Sequence, residues 1–265
     1  MKIVVFDLDE TLGYFTEFGI FWDSLLTYIK SSGRPLLTQN DFNEILDLFP
    51  EFLRPNIINI LNYLKTKKKS MCCHKMMIYT NNNGPREWAQ HITKYFEKKV
   101  NNYKLFDQIV AAFKVNGKQV EICRTTYDKT HNDFIKCTKI PSNTEICFLD
   151  DTFYPEMANE FIYYINVKPY YYDLQFSEMI NRFLNSNNCK RLVDNDFESR
   201  MISILASYKY KYIYKDPKEY ELDEIIGKQI ITHLQTFFNN KTKKNKTNKK
   251  RNTSQKNKTQ KKLNY

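Results

Sequence analysis

The chain has 265 residues, 42% hydrophobic and 15% aromatic, enough apolar material for a sizeable core, which excludes a wholly disordered chain. Its formal charge of +11 is not spread over the fold: of 41 bases, eleven lie between Lys241 and Tyr265, where there is no acid, so 30 bases face 30 acids in residues 1–240. A basic, nucleic-acid-binding body is thereby excluded, and only the tail is left for nonspecific nucleic-acid contact.

In chain order, the apolar run Ile3–Phe6 is too short for a signal peptide and ends at an acid. No apolar stretch approaches the roughly 18–20 residues needed to cross a bilayer, so no membrane association is expected. Short β-branched runs predict strands at Lys2–Phe6, Lys75–Thr80, Gln108–Phe113, Glu145–Leu149 and Phe161–Val167. Helices are expected between them. Residues 14–53 show helical periodicity at Phe42, Ile45, Leu46 and Phe49 and form either a small cap or a helical insertion. Pro55 suits a first helical position, with Ile57, Ile58, Leu61 and Leu64 on one face. Gly84-Pro85 opens a helix striped by Trp88, Ile92, Tyr95 and Phe96, and a shorter one over Lys129–Lys136 carries Phe134 and Ile135. Strands alternating with helices imply an α/β fold with a mostly parallel sheet wrapped by helices. After Val167 the pattern turns helical at Met179–Leu184 and Leu222–Phe238, the latter with Leu222, Ile225, Ile226, Ile230, Leu234 and Phe237 on one face. Residues 241–265 repeat Lys-Asn-Lys-Thr and lack the apolar surface to offset chain entropy, so a disordered tail is expected.

The six cysteines contain no Cys-x-x-Cys pair, and Cys72-Cys73-His74 is too crowded for zinc. They are expected to be reduced thiols of a cytoplasmic or nuclear protein.

Chemistry concentrates at strand ends. Ile3-Val4-Val5-Phe6 runs into Asp7-Leu8-Asp9-Glu10-Thr11-Leu12, and open α/β sheets bind ligands beyond the carboxyl ends of their strands. Carboxylates at i and i+2 can divide the work of nucleophile and proton donor. A second acidic pair, Asp150-Asp151, follows the apolar run Ile146–Leu149. Adjacent acids repel unless a cation shares the site, and magnesium suits oxygen ligands.

Asp7-Leu8-Asp9-Glu10-Thr11-Leu12 resembles the first motif of the haloacid dehalogenase (HAD) superfamily. Its wording is closest to the branch that contains RNA polymerase II C-terminal-domain phosphatases and their small relatives. Leu53-Arg54-Pro55 resembles the Arg-Pro of that branch, and the similarity spans roughly residues 1–185. The resemblance implies a Rossmann-like three-layer sandwich over 1–185, and the helical pattern beyond it predicts a helical extension over 186–240. It implies Asp7 as nucleophile, Asp9 as general acid and base, and Thr80 as a phosphate-binding hydroxyl. Lys129, or alternatively Lys136, would neutralise phosphate charge. Mg²⁺ would be held among Asp7, the backbone carbonyl of Asp9, Asp150 and Asp151, with Asp150 also holding the lysine. Asp150-Asp151-Thr152-Phe153 departs from the Asp-Asn-Ser-Pro common in that branch, and paired aspartates occur in others, including 3′-phosphatases of nucleic-acid repair.

The expected activity is therefore Mg²⁺-dependent phosphomonoester hydrolysis, with a phosphorylated protein as substrate. The alternative is a nucleic-acid or nucleotide phosphatase. Its sequence support is Tyr208–Tyr214, where aromatic and basic residues alternate; rings on one face of a strand and lysines on the other explain the same pattern. A third and less favoured alternative is a catalytically inactive interaction module; such relatives often lose the first aspartate, and Asp7 is present.

Overall fold

A computed structural model describes residues 1–187, 189–240 and 260–262. Its first strand, β1 (Lys2–Phe6), leads through α1 (Thr16–Ser31), α2 (Gln39–Leu46) and α3 (Ile57–Lys69) to β2 (Lys75–Tyr79). α4 (Arg86–Lys99) connects to β3 (Gln108–Val110), and a small hairpin of β4 (Lys114–Val115) and β5 (Lys118–Gln119) precedes α5 (His131–Thr138). Then come β6 (Glu145–Asp150) and β7 (Ile162–Asn166), followed by α6 (Phe176–Leu184), α7 (Cys189–Leu192), α8 (Phe197–Ala206) and α9 (Pro217–Asn239). The backbone of β8 (Gln260–Lys262) closes one edge of the sheet.

The main sheet has the order β3-β2-β1-β6-β7-β8, and each neighbouring pair is parallel. The five sequence-predicted strands all form, within a few residues of their expected ends. Alternation along them explains why they read as continuous apolar runs. Val4, Phe6, Met76, Ile78, Cys147 and Leu149 enter one core, while Ile3, Val5, Met77, Tyr79, Ile146 and Phe148 enter a second. Both faces are thus covered, as parallel sheets require. The larger core takes side chains from α1–α4, α6, α8 and α9; the smaller is closed by Phe134, Ile140 and Met157.

From β1 the chain builds outward to β2 and β3, then returns to the other side of β1 for β6 and β7. The strand order therefore reverses beside β1, where a crevice opens at the strands' carboxyl ends. Residues 14–53 supply α1, which packs against α8, and α2, which packs against α4; one face of α1 lines that crevice. The helical extension over 186–240 shares the larger core through Met201, Leu205, Ile226 and Ile230.

Several expectations need correction. Ile225 is 50% exposed, because the buried stripe of α9 runs through Ile226, Ile230, Leu234 and Phe237 instead. Residues 208–214 form no strand. Tyr210 bonds to the Tyr14 hydroxyl (2.7 Å), and the Tyr212 hydroxyl accepts from the Phe176 N–H (3.1 Å), so these rings are tied to the body. Cys123 and Cys137 are joined in a disulfide rather than being free thiols. The crossover after β3 brings the C-terminal end of α5 back beside that strand, where Gln108 donates to the Cys137 carbonyl (3.0 Å) and the two cysteine Cα atoms come within 5.0 Å. Cys72, Cys73 and Cys147 are free. The expected disorder of the tail falls outside the described residues except at Gln260–Lys262, where the backbone pairs with β7. No helix among the described residues is long and apolar enough to cross a membrane.

Candidate active site

Register brings the acids together. Phe6 pairs with Leu149 across β1 and β6, and the Asp7 N–H continues the ladder to the Leu149 carbonyl (2.9 Å). Asp7 and Asp150, the next residues on each strand, are therefore neighbours. Leu8 and Leu12 are buried in the larger core, while Asp7, Asp9 and Glu10 face a cleft of about 760 Å³. The turn needs a left-handed residue at Glu10 (φ 58°), an uncommon conformation for a side-chain-bearing residue. Arg54, 1% exposed, holds this turn from below: its guanidinium donates to the carbonyls of Thr11 (2.6 Å), Glu10 (2.5 Å) and Lys168 (2.8 Å).

Lys129 is the cation of the site. It is 1% exposed, and its Nζ donates to Asp7 Oδ1 (2.5 Å) and Asp150 Oδ2 (2.6 Å). Lys136 lies exposed on α5 and takes no part. Lys129 immediately precedes Thr130, whose hydroxyl caps α5 by accepting from the Asp133 N–H (3.1 Å). The loop before it is anchored by Arg124, also 1% exposed. Its guanidinium donates to the carbonyls of Thr80 (3.1 Å), Ala111 (2.9 Å), Tyr127 (2.9 Å) and Asp128 (3.3 Å). One arginine thus links the ends of β2 and β3 to the segment that delivers the lysine.

Thr80 follows β2 directly, is buried, and lines the cleft; its Oγ1 accepts from the Asn82 N–H (3.0 Å). The Asn82 side chain reaches across to Asp9, donating to Oδ2 at 2.7 Å. Asp151 is half-buried, and its Oδ1 accepts from the Thr11 hydroxyl (2.9 Å). Asn166 on β7 donates to the carbonyls of both Asp150 (3.0 Å) and Asp151 (2.9 Å), which fixes that turn. All six sequence-predicted side chains, Asp7, Asp9, Thr80, Lys129, Asp150 and Asp151, therefore line one cleft. Asn82, Thr11, Arg54 and Arg124 supply contacts that the sequence pattern assigns to no residue. For Arg54, the Arg-Pro pattern was the available signal.

Burial sets the protonation behaviour. It pushes the Asp7 and Asp150 carboxyls up, with Lys129 opposing in both cases. Burial also works against the Lys129 ammonium, but Asp150 and Asp7 outweigh it and hold its pKa above the ordinary lysine value. Asp9 is pushed up to about 7, by burial and then by the charge of Asp7, with Asn82 opposing. The two aspartates of the first motif thus occupy different environments: one paired with an ammonium, the other with a neutral amide.

Asp7, Asp150 and Asp151 offer oxygen atoms that lie within 4.8 Å of one another. Three carboxylates against one ammonium leave an excess of negative charge, and the donor set is all oxygen, so the residues fit a hard divalent cation such as Mg²⁺. The other candidate group among the described residues, Glu121 with Cys123 and Cys137, has its two sulfurs joined to each other. Compared with family models, curated proteins and solved structures, the chain matches none.

Proposed function

We propose that this chain is a Mg²⁺-dependent phosphomonoester hydrolase of the haloacid dehalogenase type, acting through an aspartyl-phosphate on Asp7 and directed at a phosphorylated protein. The observation that carries the reading is Lys129, buried between Asp7 and Asp150 where the strand order reverses, with Thr80 and Asp9 in the same cleft. A buried ammonium shared by two carboxylates neutralises charge that would otherwise repel a phosphate dianion.

In the proposed cycle a carboxylate oxygen of Asp7 attacks phosphorus in line, and the bond from phosphorus to the leaving oxygen breaks. Asp9, whose raised pKa keeps a proton available near neutrality, passes that proton to the leaving oxygen. Asp9, now ionised, takes a proton from water as the water oxygen attacks phosphorus, releasing inorganic phosphate and restoring Asp7. Thr80 and Lys129 hold the phosphoryl oxygens, and Asn82 orients Asp9. Mg²⁺, held by Asp7, the backbone carbonyl of Asp9 and Asp151, with Asp150 beside them, would supply the positive charge that lets carboxylate and phosphate meet.

The test is hydrolysis of p-nitrophenyl phosphate by the full chain with Mg²⁺, after chelation, and after Mg²⁺ is restored. Turnover that disappears with chelator and returns with Mg²⁺ is expected. Equal turnover in the chelated protein would remove the metal from the reading, and no turnover under any condition would remove the hydrolase.

A further inference from the structure

The cleft does not end at the acids. Beyond Asp9 and Asn82 it continues between α1 and α4, and this arm differs in character from the phosphate end. Its apolar part is made by Ile20 and Leu26 on α1, Trp88 on α4 and Tyr208 from the segment after α8. Ile20, Leu26 and Trp88 are only half-buried, so their apolar surface is open to a ligand. Gly19 keeps the α1 wall low here: a Cβ at that position would come to 3.4 Å from the Trp88 ring. Two exposed acids, Asp23 on α1 and Glu87 on α4, also line the arm, and the Tyr208 hydroxyl donates to Asp23 (3.3 Å). Among the described lining residues the one lysine or arginine is Lys129, whose ammonium lies between Asp7 and Asp150.

We propose that this arm receives the leaving group, and that it selects a polypeptide whose phosphorylated residue is flanked by a basic and an apolar side chain. The inference rests on the hydrolase reading and narrows its substrate. Trp88, Ile20 and Leu26 take the apolar side chain, while Asp23 and Glu87 face the basic one. A polyanionic leaving group meets the opposite situation. Each further phosphate of an oligonucleotide would enter an arm that offers carboxylates and no described cation, so like-charge repulsion opposes it. Any contact between the basic tail and nucleic acid adds no cation to the described lining of the arm.

The experiment measures kcat/KM of the full chain with Mg²⁺ on a set of substrates. Three phosphoserine peptides of one length differ only beside the phosphoserine, carrying Arg and Leu, Glu and Leu, or Arg and Gly. A 3′-phosphorylated oligothymidylate and p-nitrophenyl phosphate complete the set. An exposed ion pair contributes up to about fivefold, so two give a preference for Arg over Glu of up to about 25-fold at low salt, shrinking as salt rises. Replacing the flanking Leu with Gly should cost about tenfold, and the oligonucleotide should be turned over more slowly than the Arg-Leu peptide. In an Asp23→Asn, Glu87→Gln double variant the Arg-to-Glu ratio should fall toward one. Comparing the ratio in variant and parent cancels any contribution of the tail. An unchanged ratio in the variant, or a preference for the acidic peptide or the oligonucleotide, would overturn the assignment while leaving the hydrolase intact. Failure to hydrolyse every substrate, p-nitrophenyl phosphate included, would overturn both.

Discussion

Glu17 offers a quantitative test of how the wall of the cleft is held. It lies in the first turn of α1, is fully buried, and accepts from the Leu174 N–H through Oε2 (3.1 Å). Its Oε1 and the Oδ1 of Asp173 are both buried and the two carboxyls face one another, with the Tyr210 hydroxyl also against Glu17, an arrangement in which one proton held between the two carboxyls satisfies both. Burial, with the adjacent Asp173 adding to it, pushes Glu17 up to about 8 from an ordinary 4.5, although the Leu174 N–H opposes the shift. The folded state therefore binds a proton that the unfolded chain has lost between about pH 4.5 and 8. Stability from this group is fully present below pH 4.5 and falls as pH rises to about 8. At 1.36 kcal/mol per pKa unit, the full swing is at most about 5 kcal/mol. Glu17→Gln keeps the shape, accepts the same N–H and donates permanently to Asp173. Urea unfolding of parent and variant, followed by circular dichroism from pH 4 to 9, should show similar stabilities near pH 4. The variant should gain progressively above pH 5, reaching a few kcal/mol by pH 9. A difference that does not change with pH would refute the shared proton.

Other predictions address the reacting groups. Asp7→Asn should form no phosphoenzyme with any substrate. Asp9→Asn should keep relatively more first-step activity on aryl than on alkyl phosphates, with the alkyl loss larger by about 10²–10⁴; radiolabelled rapid quench of both variants decides, and an equal loss on the two substrate types would reverse the role given to Asp9. Lys129→Met leaves Asp7 and Asp150 facing one another in the interior. The chelated variant should lose about 3–5 kcal/mol of stability, and Mg²⁺ should raise its Tm more than the parent's; a chelated variant as stable as the parent would contradict the buried pairing. For the tail, truncation after Asn240 should weaken polyanion binding and flatten its salt dependence, whose slope on duplex DNA is about −0.9 per phosphate contacted. Unchanged affinity would show that the body, not the tail, holds the polyanion.

Much of the sheet is readable in the sequence because strands buried on both faces are short and apolar almost throughout, and such runs end where polar chemistry begins. Asp7 and Asp150 stood out for that reason. Lys129 did not, since a lysine's ordinary place is a solvated surface and this chain has many. What isolates it is helix capping: Thr130 and Asp133 start α5 after Lys129, leaving that lysine on the incoming loop and Lys136 on an exposed turn. A helix read as starting at Lys129 puts both lysines on one element, where spacing does not separate them. Asn82, Thr11 and Arg124 act through contacts across 44 to 140 residues of chain, which no local pattern carries. The Cys123–Cys137 bond is of the same kind, because only the crossover from β3 to α5 brings those two positions together. Ile225 shows the limit of periodicity, since the α9 pattern continues one residue onto a face that the core does not cover.

That disulfide encloses the segment from Cys123 to Cys137, and with it Arg124, Lys129 and the cap of α5. The cation of the site therefore rides on a ring with two independent fastenings, one covalent and one made of the carbonyls that Arg124 gathers from β2, β3 and the loop itself. Such redundancy separates durability from function. Closing a loop of about 15 residues contributes about 3 kcal/mol by restricting the unfolded chain, whereas Arg124 acts in the folded state, where the lysine must be presented. Opening the ring with dithiothreitol should accordingly lower the unfolding midpoint well before it alters turnover.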